Sequence, residues 1–245
     1  AGYTADKSEI PAVSGVQAKD QDRVETVTYR KDAQKAIIRY VSTNGNRVLT
    51  TDEVTGKSGE AIAYSTTSQI TEFKKQGYKL VSDEFTAGGA KVYDYDTARD
   101  QVYTVTLSER VEPVNPDNPT PQPNTPVNPG QPDSPRWPGT VENLDNKESV
   151  SRTIHYVYED GSKAKDDVVE TLNFKRWSNV NLVTGHIDFQ DWTTNDDTFD
   201  KVVSPTIAGY TADKSEIPAV SGVQAKDQDR VETVTYRKDA QKAVI

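Results

Sequence analysis

The chain has 245 residues, a formal net charge of -9, no cysteine, no methionine and a mean hydropathy of -0.77. The acidic balance excludes nucleic acid as a partner, because a phosphate backbone demands a basic patch and the sequence has no cluster of Lys and Arg. The missing cysteines exclude disulfides and thiolate metal sites, and the most apolar windows, such as KAIIRYV from Lys35, are far too short for membrane insertion.

The opening segment AGYTADKSEIPAVSGVQAKDQDRVETVTYRKDAQKA returns near the end of the chain: residues 1–38 and 208–245 differ at one aligned position, Ile37 against Val244. A period of 207 residues is far longer than a solenoid unit, so each period is expected to hold complete domains in an array. Residues 1–32 then read as the C-terminal tail of a preceding repeat's second module, and 240–245 as the start of the next repeat. Adjacent repeats of the same protein are the expected neighbours. Such a tail carries an unpaired strand, expected either to pack beside the first complete module or to pair with another copy of the chain.

The first complete module spans 33–110. KAIIRYVSTNGNRVL alternates through Ile38 and Tyr40 to an Asn44-Gly45 turn, a hairpin signal. TTSQITEFKKQG predicts a helix with Ser68 as N-cap, Ile70 and Phe73 on one face, and Lys74 and Lys75 at the negative end before Gly77. YDYDTARDQ brings Asp94, Asp96 and Asp100 into one turn, where hard oxygen ligands could hold a structural calcium ion, the one candidate cofactor. A solvated acidic turn is the competing reading. The module closes on the strand DQVYTVTL.

Residues 111–139 form a Pro-rich linker in which prolines recur every third residue from Pro123 to Pro138. Polyproline II has three residues per turn, so this tract is expected to be an extended, stiff spacer. The second module, 140–239, repeats the hairpin pattern in RTIHYVYEDG, with Ile154, Tyr156, Asp160 and Gly161 standing where Ile38, Tyr40, Asn44 and Gly45 stood. It has a clear strand over 168–174 and no helix signal. Gly209-Tyr210 matches Gly77-Tyr78, and DRVETVTY matches the closing strand. The fold class is mostly β with minor α: two tandem β-grasp-type modules in an elongated rod, joined by the linker.

Nothing here predicts catalysis. Of the two histidines, His155 alternates outward on a strand, and Gly56-Lys57-Ser58 lacks the glycine five positions earlier that a P-loop requires. No catalytic residue is assigned.

The motifs of 33–110 resemble the mucin-binding, MucBP-type B1 domain, and SRTIHYVYEDGSKAKDDVVETLNFKR through VVSPTIAGYTADKSEIPAV resembles its B2 partner. Together they are similar to the Mub repeat of lactobacillus mucus-binding surface proteins. The resemblance implies ubiquitin-like β-grasp modules in an extracellular adhesin anchored to the cell wall of a Gram-positive bacterium. It also implies binding of mucin glycans or glycoproteins, made tight by multivalency, with immunoglobulin as an alternative partner and a ligand-free stalk as the structural alternative. Within the second module, Trp177 and Trp192 lie among polar residues and are the candidate sugar platforms, since aromatic faces suit sugar C–H bonds. For both, packing against the core competes with that role.

Overall fold

A computed structural model describes residues 2–241. Position 244, where the two copies differ, and most of the 240–245 segment lie outside the described residues. Two compact units emerge: one runs from the N-terminus to 111 and takes in 124–138 and 181–184, and the other holds 112–123, 139–180 and the chain from 185 onward.

In the first unit, β1 (Tyr3–Ala5) and β2 (Tyr29–Lys31) form a small antiparallel ladder of their own. Then come β3 (Ala33–Ser42), β4 (Val48–Lys57), α1 (Thr67–Lys75), β5 (Tyr78–Asp83) and β6 (Gln101–Glu109). The four-stranded sheet has the order β4-β3-β6-β5, with β3 and β6 parallel at its centre and antiparallel strands outside them. This is the β-grasp order expected from hairpin, helix and closing strand. Alternation decides which side of β3 is buried: Ala36, Ile38 and Tyr40 are sealed from solvent while their neighbours are not. Ile70 and Phe73 of α1 close the core from above, Phe73 packing on Tyr40 and Tyr78 at ring separations of 5.7 Å each. Lys74 and Lys75 sit in the last turn, and Gly77 takes φ +94° where a side chain would be strained. The N-cap differs from expectation. Thr66 precedes the helix, and its hydroxyl donates to Asp83 at 2.6 Å rather than capping, so it ties the helix to β5.

The Pro-rich tract departs from an extended spacer. Residue Val111 begins β7 (Val111–Val114), and residues 124–137 fold back on themselves. Asn124 N–H donates to Trp137 C=O at 2.9 Å, Val127 to Pro135 at 2.9 Å, and Trp137 to Thr125 at 3.0 Å. Polyproline II leaves every backbone donor to water. The non-proline residues between the rings keep their N–H groups, and folding back gives these three protein partners.

The second unit contains a 3₁₀ turn (Gly139–Asn143), β8 (Lys147–Tyr158), β9 (Lys163–Lys175), β10 (Ser178–Asn181), β11 (Ile187–Phe189), β12 (Val202–Val203), β13 (Tyr210–Ala212), β14 (Glu216–Ile217) and β15 (Arg230–Lys238). Its main sheet has the order β13-β15-β8-β9, with β15 parallel to β8: the same topology with no α-helix among the described residues. Where β3 has Ala36, two residues before Ile38, β8 has Arg152, two residues before Ile154. Both positions are buried. Arg152 is 1% exposed. Its guanidinium donates to the Glu170 carboxylate on β9 and to the backbone carbonyls of Asp200 and Pro218, and lies 5.2 Å over the Phe199 ring. A buried arginine survives only with such partners. Around it lie two apolar clusters, one on Val150, Leu172, Phe174, Phe199 and Val223, the other on Ile154, Tyr156, Ile217, Val234 and Tyr236.

Candidate functional site

The second unit carries a concavity at the joined ends of β8 and β9. A cleft of about 270 Å³ is lined by Lys147 and Glu148 at the start of β8, Asn173, Phe174 and Lys175 at the end of β9, and Thr193, Thr194 and Asn195 of the following loop. The loop is pinned to the strand: Lys175 and Thr193 exchange backbone hydrogen bonds at 2.9 and 2.8 Å, and the Thr194 hydroxyl donates to Asn173 C=O at 2.8 Å. The cleft wall is therefore a continuation of the sheet. Lys147, Glu148, Asn173 and Asn195 bring one ammonium, one carboxylate and two carboxamides to its lining, while the Lys175 ammonium is held by Asp117 at 3.0 Å, a mixture suited to a polar ligand rich in hydroxyls.

The two tryptophans part company. Trp177, in the turn between β9 and β10, is 43% exposed, and its carbonyl accepts from Gln190 N–H at 2.9 Å. Trp192 packs against the Val150 cluster, and its ring has the Arg176 guanidinium at 4.2 Å and the Lys226 ammonium at 5.5 Å. The role of a sugar platform does not suit Trp192, because cations already hold its ring. Arg176 also stacks on Phe189 at 4.0 Å and donates to Asp145 at 2.8 and 2.9 Å. Asp145 and Glu148 both bind Lys226, at 3.1 and 3.0 Å, and hold its ammonium above the ordinary lysine range. Sequence reasoning missed Arg176, Phe189 and Lys226. In the sequence each reads as an ordinary surface residue, and only the meeting of three distant segments makes the stack.

The carboxylates of the acidic turn are spent on its own backbone and on Lys35. Asp94 accepts from Asp96 N–H at 3.0 Å, Asp96 from Ala98 N–H at 2.9 Å, and Asp100 pairs with Lys35 at 2.9 Å. Among the described residues no three carboxylates or histidines gather around a point that could hold a metal ion, so Asp94, Asp96 and Asp100 are not brought together as a calcium site. His155 points outward from β8 to Asp167 at 2.9 Å, as its alternation predicts.

Two family models match the chain in succession: a mucin binding domain over residues 34–109 and a Muc B2-like domain over 141–240. The chain belongs to the Mub-type repeats. Consistent with that family, the Mub repeat reported as the crystal structure of Mub-RV superposes with a TM-score of 0.66 at 26% identity, over 84% of this chain and all (100%) of that one. The type 2 repeat of the mucus binding protein MUB from Lactobacillus reuteri superposes with a TM-score of 0.54 at 28% identity, over 84% and 100% of the two chains. Among curated proteins none matches this Mub-type chain. No helix among the described residues is long and apolar enough to cross a membrane.

Proposed function

We propose that the chain is an adhesin repeat that binds glycans of mucin glycoproteins on the outside of the cell, and that the cleft between Lys147, Asn173, Lys175 and Asn195 of its Muc B2-like domain is where a glycan terminus sits. The observation that carries this reading is the succession of a mucin binding domain and a Muc B2-like domain in one chain. The cleft supports the site: the carboxamides of Asn173 and Asn195 can pair with sugar hydroxyls, and Lys147 suits a sugar carboxylate. Trp177 supplies an exposed aromatic face in the same domain. One open cleft of this size gives a weak contact, and repeats on one wall-anchored chain turn weak contacts into avidity through effective concentration.

The test is binding of the intact chain to immobilised mucin, before and after enzymatic removal of terminal sialic acid, beside an immunoglobulin surface. Saturable mucin binding that weakens on trimming, and weakens at least about tenfold in Lys147→Ala, supports the reading; tenfold corresponds to about 1.4 kcal/mol. Binding to immunoglobulin alone replaces mucin as the partner. No binding to either surface by a folded chain assigns the repeat to a stalk.

A further inference from the structure

The matching hairpin turns Asn44-Gly45 and Asp160-Gly161 differ in what engages their glycine nitrogens. Gly161 N–H donates to Tyr158 C=O at 2.9 Å, and the Asp160 carboxylate accepts from the Ser162 N–H and hydroxyl, so both residues of that turn are held. Gly45 N–H donates to nothing among the described residues. Residues 43–48 are all exposed, Gly45 takes φ +68°, and a Cβ built on it would meet nothing within 4 Å. The side chain of Asn44 makes one bond among the described residues, from its amide nitrogen to Glu109 Oε1 at 3.2 Å.

No other asparagine in the chain precedes glycine, and Asn115, Asn118 and Asn128 precede proline. An asparagine carboxamide carbon is one five-membered ring away from the nitrogen of the next residue. Closing that ring needs a nitrogen with a proton to lose, which proline lacks, and little crowding around it, which glycine provides by having no side chain. Asn44 meets both conditions in a turn that water reaches.

We propose that Asn44 is a site of spontaneous covalent modification, converted by water to aspartate or isoaspartate with loss of ammonia. The Gly45 nitrogen gives its proton to solvent base and bonds to Asn44 Cγ; the Cγ–Nδ2 bond breaks, and Nδ2 leaves as ammonia with a proton from solvent. Water then opens the cyclic imide. Opening at Cγ restores the main chain with aspartate, and opening at the Asn44 carbonyl carbon routes the chain through the side chain as isoaspartate. The sum is amide plus water giving acid plus ammonia, with nothing oxidised or reduced. Aspartate puts a carboxylate oxygen where Nδ2 held Glu109, so a hydrogen bond becomes a repulsion between like charges. Isoaspartate adds a main-chain carbon to a loop whose ends are fixed where Ser42 N–H donates to Arg47 C=O at 2.8 Å. The matching closure at Asp160 must expel water from a neutral carboxyl. Ser162 holds that group as the carboxylate and Tyr158 holds the nitrogen, so Asp160 is spared.

The test is incubation of the intact chain in neutral buffer, followed by peptide mapping with mass spectrometry. The acid mass shift should grow at Asn44 at least about tenfold faster than at any other asparagine, a barrier difference of about 1.4 kcal/mol. Its rate should rise in mildly alkaline buffer, where the Gly45 nitrogen loses its proton more readily, and an isoaspartate methyltransferase should label the same peptide. Asn44→Gln, which must close a larger ring, should abolish both signals. Modification of Asn44 no faster than of other asparagines in the folded chain overturns the proposal, as does modification there in urea-unfolded chain alone. Isoaspartate forming at Asp160 as fast as at Asn44 overturns the account of what selects the site.

Discussion

Residues 2–31 and 209–238 are one sequence in two settings. In both, the short ladder between the Gly-Tyr turn and the Tyr-Arg-Lys strand forms with the same register, because its partners lie close in the chain and its bonds need nothing else. In the second setting the strand extends to nine residues as β15, and in the first only three are paired as β2. The extension is induced by β8. Glycine makes the same point: Gly2 and Gly209 have φ of +77° and +79°, yet a Cβ on Gly2 would lie 2.2 Å from the Tyr95 ring and one on Gly209 would meet nothing within 4 Å. Backbone conformation travels with the sequence, and surroundings do not.

Substitution at paired positions measures how far that difference goes. Tyr236→Ala should cost about 3–5 kcal/mol in the second unit, the usual range for truncating a buried aromatic. Tyr29→Ala should stay within about 0.5 kcal/mol, as exposed sites do. Denaturant unfolding followed by tryptophan fluorescence, at low micromolar protein, separates the two. Equal effects would mean that the first copy is covered in solution.

Arg152→Ala should cost on the order of 3 kcal/mol, because it strands the Glu170 carboxylate and two backbone carbonyls that the guanidinium satisfies. The same unfolding measurement should show the first unit's transition unmoved. A milder contrast is Ile217→Val, about 0.5–1.5 kcal/mol, against no measurable change for Ile10→Val.

The smallest effect concerns the two hairpin turns. Ser162, through its hydroxyl and then its backbone N–H, holds the Asp160 carboxyl below the ordinary aspartate range. A lowered folded value means that the turn gains stability above the unfolded pKa of about 3.9 and loses it as pH falls through the folded value. Amide chemical shifts at Ser162 should therefore move below about pH 4. Those at Asn46 should not follow them, since the matching turn residue, Asn44, carries no charge. Coincident titration of the two turns would show that a shared event, not Asp160, is responsible.

Much of the architecture was legible because it rests on local pattern. Alternation through Ile38, Tyr40, Ile154 and Tyr156 fixed which faces are buried, and Asn44-Gly45 and Asp160-Gly161 fixed the hairpins. Ile70 and Phe73 placed the helix, although it starts after Thr66 rather than Ser68, and the Thr66 hydroxyl goes to Asp83 on β5 and caps nothing. The proline tract was misread, since ring spacing describes one strand of chain and says nothing of the partner that 135–137 provide for 124–127. The candidate site was the least legible part. Trp177 and Trp192 look alike in sequence, and only the arrival of Arg176 and Lys226 on the Trp192 ring distinguishes them. Arg152 carried no signal at all: an arginine in an alternating strand reads as solvated unless carbonyls from residues 200 and 218 come to meet it.

By itself the sequence determined the strands, the turns and the hydrogen-bonded frame of each repeated segment, because those interactions span 28 residues or fewer and repeat wherever the words repeat. Tertiary structure decided which of the two identical apolar faces is buried. Parallel pairing of β15 needs β8, whose matching residues lie 78 positions upstream, from Arg152 against Arg230 onward. Burial is a property of what covers a side chain, and the first copy carries the same side chains without that cover.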